Sequence, residues 1–181
     1  MTGRWERYVS DLIAGFDRFQ FDESQYAAMR AEFSPLIIGT DLSRCERINQ
    51  IISDYKKVTA IYFWTMRLND KEFKIYIGKT NSISLRAQNY TGEFQPHSPN
   101  DFKLRIFRSF ISEVAPTATL DLYVSKIAAP DLTSAEKLAI ARYDPFLNKR
   151  PHPSPEAKAL LRDAFSLFYR SSFEGVLRND P

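Results

Sequence analysis

Residues 58–78, VTAIYFWTMRLNDKEFKIYIG, decide the fold. Two runs rich in β-branched and aromatic residues, Val58 to Leu68 and Phe73 to Ile77, flank Leu68-Asn69-Asp70-Lys71, which is the pattern of a β-hairpin. The runs carry the tripeptides Ala60-Ile61-Tyr62 and Tyr76-Ile77-Gly78. If Leu68, Asn69 and Asp70 form a three-residue loop, Arg67 pairs with Lys71, and counting back sets Tyr62 opposite Tyr76. Both phenols then share a face. A two-residue loop shifts the register by one and sends them to opposite faces.

Outward from the hairpin the period turns helical. Residues 1 to about 55 read as helix: Trp5, Val9, Leu12, Ile13 and Phe16 recur at helical spacing, and a second stretch, Ser24 to Phe33, stops before Pro35. A third, capped by Asp41 or Ser43, carries Cys45, Ile48, Ile51, Ile52 and Tyr55 on one stripe. Downstream, Asn81 or Ser82 caps a short helix to Tyr90, Thr91 to Asn100 is turn-rich, and Asp101 to Val114 is helical. Leu120 to Val124 alternates as a third strand, and Thr133 opens a helix that stops at Asp144-Pro145. Ser154 and Pro155 start a last helix through about Phe173. The expected class is α+β: a small three-stranded antiparallel sheet flanked by helices. The expected parts are a helical N-terminal extension (1–56), a central domain (57–150) and a C-terminal helix packed on it (151–181).

Composition narrows the chemistry. The chain has 181 residues and a net charge of +3, a mild excess compatible with a polyanionic partner. Cys45 is the single cysteine, which excludes an internal disulfide and a cysteine-based zinc site. His97 and His152 lack metal-ligand spacing. No apolar run approaches the ~20 residues that span a bilayer, and the N-terminus lacks the form of a signal peptide. A cytoplasmic location is expected. Six glycines, none in phosphate-loop spacing, argue against a nucleotide cradle.

The remaining polar residues form an ordered series: Tyr62, Tyr76, Lys79, Arg86, Tyr90, Glu136 and Asn148. Arg86 and Tyr90 are four apart and share a helix face, where an arginine can fork two hydrogen bonds to a phosphate. A surface arginine stacked on a tyrosine has the same spacing. Glu136 admits two readings. In Thr133-Ser134-Ala135-Glu136 it completes a capping box; as a lone carboxylate it can hold a hard cation that keeps several waters. Tyr62 and Tyr76 are either half-buried strand aromatics or phenols whose pKa of about 10 falls beside positive charge.

The series resembles the GIY-YIG nuclease family over roughly residues 58 to 149. Tyr62 matches the tyrosine of the first motif, and Tyr76, Ile77 and Gly78 match the second intact. Lys79 matches the lysine that often follows, Arg86 the family arginine, Tyr90 a tyrosine or histidine position, Glu136 the metal-binding glutamate and Asn148 the family asparagine. Ala60 departs from the first glycine, and the separation of fourteen between Tyr62 and Tyr76 implies a longer hairpin than in compact members. The resemblance implies a metal-dependent DNA endonuclease using Mg²⁺ or Mn²⁺. Glu136 would be the metal ligand, and Tyr62, Tyr76, Lys79, Arg86, Tyr90 and Asn148 the other catalytic residues. The alternative is a DNA-binding or protein-interaction module on the same fold that does not cut.

Overall fold

The computed structural model of the chain describes residues 16–68, 70–91, 104, 107, 108 and 117–148. These fall in one unit, residues 16–148. The expected first and last helices, His97, His152 and the Thr91–Asn100 loop beyond Thr91 lie outside the described residues, as does most of the Asp101–Val114 helix. Leu104, Phe107 and Arg108 of that segment are helical.

The hairpin forms, from strand β2 (Ala60–Leu68) and strand β3 (Lys71–Thr80). Leu68 pairs with Lys71, so two residues rather than three separate the strands. On the regular count this turns Tyr76 away from Tyr62. A β-bulge between Lys74 and Tyr76 reverses the outcome: Thr65 pairs with Lys74, Trp64 pairs with Tyr76, and Ile75 is the extra residue. A bulge sets two residues against one, and the side-chain alternation resumes with its parity changed. Tyr62 therefore faces Gly78 directly and Tyr76 diagonally, and the expected Tyr62–Tyr76 pairing is corrected by two positions.

The sheet has four strands, not three. Strand β4 (Thr119–Lys126) lies beside β2, and strand β1 (Ser34–Thr40) forms the edge beyond it. The order is β1-β4-β2-β3, and all the pairings are antiparallel. The added strand comes from the segment between the second and third helical stretches. Pro35 sits in β1 because the edge needs no amide from it, and Gly39, at φ +70°, takes up one of the strand's irregularities. The β1 register slips twice, which breaks up an edge that could otherwise pair with a foreign strand.

Both faces of the sheet are covered, which explains why β2 is buried without a break from Ala60 to Met66, the polar Thr65 included. Ala60, Tyr62, Trp64 and Met66 point to one face, against helix α2 (Glu46–Asp54), helix α3 (Ile83–Thr91), Leu104 and Phe107. Ile61, Phe63, Ile77 and Tyr123 point to the other, against helix α1 (Glu23–Glu32) and helix α4 (Leu132–Tyr143). Asp22 caps α1 by accepting from Gln25 N at 2.7 Å. The expected cap of α2 does not form: Asp41 accepts from Ser43 N at 2.8 Å in a turn of its own, and the helix starts after Cys45. Ser82 caps α3 through Leu85 N at 3.2 Å. The amides of Ile83 and Ser84 donate to the carbonyls of Val58 and Tyr55, so the start of α3 is fixed to the turn before β2. Asp144, left-handed at φ 46°, ends α4 just before Pro145, as the sequence indicates.

Candidate active site

At the end of the hairpin remote from its turn, Tyr62 crosses to Gly78 on the facing strand. A Cβ on Gly78 would lie 2.5 Å from Tyr62 Cζ and closer still to the phenol oxygen. Only glycine leaves room for that ring, and this gives the Gly78 of the second tripeptide a steric reason. The Tyr62 and Tyr76 rings lie 6.1 Å apart, and Tyr90, from α3, stands edge-on to Tyr62 at 6.1 Å and to Trp64 at 5.5 Å. The phenol oxygens of Tyr62 and Tyr90 are 3.0 Å apart in a buried hydrogen bond.

Electrostatics tie this cluster to two charged groups. Burial pushes the Tyr76 phenol up. The neighbouring Tyr62 adds to that rise, the Arg86 guanidinium counters it, and the Glu136 carboxylate raises it again. Arg86 from α3 and Glu136 from α4 thus act on one phenol from elements that pack on opposite faces of the sheet. Burial also raises Tyr90 well above its ordinary value, with Tyr62 and Tyr76 adding to the effect. Tyr76 and Tyr90 accordingly keep their protons at neutral pH.

Glu136 does not close a capping box. Helix α4 begins at Leu132, so Thr133 lies inside the first turn instead of before it, and the preceding Asp131 makes no side-chain cap. Glu136 Oε2 instead meets Lys79 Nζ at 3.0 Å, and the same ammonium donates to Thr133 Oγ1 at 3.0 Å. The Glu136 side chain is 20 % exposed. Among the described residues no three His, Cys, Asp or Glu side chains gather. One hard, partly open carboxylate fits a magnesium-like cation that retains waters and takes the rest of its shell from a bound oxyanion. It does not fit a tetrahedral zinc site.

Asn148 lies in a short 3-10 turn, Phe146–Asn148, and acts on the backbone. Its Oδ1 accepts from Ile77 N and its Nδ2 donates to Ile77 O, each at 2.7 Å. On this outer edge of β3 the side-chain amide does what a fifth strand would do, and it holds the residue between Tyr76 and Gly78. Sequence reasoning missed Thr133 except as a cap. Its position three before Glu136, on the same helix face, was the available signal.

No model of a known protein family matches the chain, and no curated protein matches it. Among solved structures it is similar to the GIY-YIG N-terminal endonuclease domain of UvrC from Thermotoga maritima, a point mutant bound to its catalytic divalent cation. The chain resembles a GIY-YIG endonuclease domain. The identity is 20 %, the match covers 59 % of this chain and 100 % of the other, and the TM-score is 0.36.

Proposed function

We propose that the chain is a divalent-cation-dependent endonuclease that hydrolyses phosphodiester bonds in DNA. The observation that carries this reading is that Tyr76, packed against Tyr62, lies in the field of both Arg86 and Glu136, which come from helices on opposite faces of the sheet. Glu136 is the residue to hold the cation, Mg²⁺ or Mn²⁺. Bound there, the cation supplies charge neutralisation at the scissile phosphate and the leaving oxygen.

This chain's residues divide the remaining work. Arg86 offers a planar donor fork to the phosphate oxygens that gain charge in the transition state. Tyr90, which keeps its proton, shares a 3.0 Å hydrogen bond with the Tyr62 oxygen and would donate to it once Tyr62 is ionised. As a phenolate, having first given up its own proton to solvent, Tyr62 would be the base that takes a proton from the attacking water. Tyr76, also protonated, orients that water or a phosphate oxygen. Lys79 balances Glu136, and Asn148 braces the strand that carries Tyr76, Gly78 and Lys79.

The test is a cleavage panel of supercoiled, linear, single-stranded and branched DNA with Mg²⁺, with Mn²⁺ and with a chelator. The reading expects metal-dependent nicking of at least one substrate, abolished by the chelator. DNA binding without cleavage of any substrate would replace it with the non-cutting module.

A further inference from the structure

Lys79 and Ile61 are cross-strand partners, and Ile61 points to the face that α4 covers. The lysine is thus delivered to α4, on the side of the hairpin away from the tyrosine cluster. There its ammonium is held twice, by Glu136 Oε2 and by Thr133 Oγ1, each at 3.0 Å. Thr133 and Glu136 are three apart on one helix and form two jaws around a single cation. The site is partly open, with Lys79 36 % exposed, so the pair is of the kind that forms and breaks readily.

We infer that Lys79 and Thr133 form a displaceable plug on Glu136. The inference rests on the reading of Glu136 as the cation ligand. Before the cation arrives, the ammonium neutralises the carboxylate and fixes its orientation. A divalent cation arriving at Glu136 meets an ammonium that already neutralises the carboxylate and holds Oε2, so like-charge repulsion makes the two compete for it. Thr133 is a positioning residue: it acts through Lys79, adding a second anchor that makes the plug harder to remove. Removing the anchor loosens the plug, and removing the ammonium abolishes it.

The experiment is Mn²⁺ binding to the full chain without DNA, at constant pH and ionic strength, measured by calorimetry and by the electron-spin signal of free Mn²⁺. One partly exposed charge pair at contact predicts that Lys79→Met binds Mn²⁺ about fivefold more tightly than wild type. One hydroxyl acceptor predicts that Thr133→Val binds about twofold more tightly. Thr133→Ser should match wild type. Lys79→Met with Thr133→Val should equal Lys79→Met alone, since Thr133 acts only through the ammonium. Unchanged or weaker binding in Lys79→Met overturns the plug, and so does a Thr133→Val effect that persists without Lys79. Glu136→Ala separates the two layers. If it binds Mn²⁺ as wild type does, the ligand role of Glu136 fails and the plug with it. If it loses binding while Lys79→Met is unaltered, only the plug fails.

Discussion

Gly78 and Glu136 show how little freedom single positions have. A methyl group on Gly78 would collide with the hydroxyl end of the Tyr62 ring, so Gly78→Ala has to displace the phenol. Overpacking of this kind costs about 1–3 kcal/mol, and thermal unfolding should show that loss together with impaired cleavage. Glu136 is the opposite case. Its partner Lys79 is partly solvated, so Glu136→Gln should change stability by no more than about 1 kcal/mol while removing cleavage. Matched unfolding curves beside lost activity would mark Glu136 as functional and not structural. The capping-box reading failed for a reason of register: helix α4 starts one residue before Thr133, so the box has no residue in the cap position.

At the scale of elements, the hairpin was legible because β-branched and aromatic residues fill both arms. Its register was not. The two-residue connection and the bulge at Ile75 each change the parity, and their effects cancel for the face of Tyr76. Nothing in Lys74-Ile75-Tyr76 marks a bulge, because isoleucine suits a regular strand equally well. Strand β1 was hidden for a related reason: Pro35 read as a helix stop, yet proline is tolerated at a sheet edge. The α4 boundary at Asp144-Pro145 was plain, since proline excludes helix from the residue before it. Asn148 stood out in the sequence as a candidate site residue, and in the structure its side chain binds the Ile77 backbone. Asn148→Ala removes two hydrogen bonds from Ile77, each worth about 1 kcal/mol net. Faster hydrogen exchange at the Ile77 amide and lower stability are expected; an unaltered exchange rate would count against the brace.

Across residues 16–148, a polar link joins the edge strand to the centre of the sheet. Asp121 on β4 is fully buried; it accepts from Gly39 N at 2.6 Å and pairs with Arg67. Arg67 is 45 % exposed and can be rehydrated, so Asp121→Ala should cost about 1.5–3 kcal/mol, the worth of hydrogen bonds to a charged group. Denaturant unfolding measures this. The fold also predicts a one-sided pH response. Burial raises Tyr76 and Tyr90, and burial with the nearby Glu32 carboxylate lifts Tyr143 to about 12. Each phenol favours the folded state while neutral. Their stabilisation is complete below the unfolded value of 10.0 and is lost as pH rises through the folded values. The urea midpoint should therefore owe no change to these tyrosines from neutrality to about pH 10 and should fall above it, in step with tyrosinate absorbance. The most direct test of the whole account is single-turnover cleavage of DNA with Mg²⁺ by wild type and by Glu136→Gln at equal concentration. The account predicts metal-dependent cutting by wild type and loss of at least about a hundredfold in the variant. Equal cutting by the two proteins would contradict it.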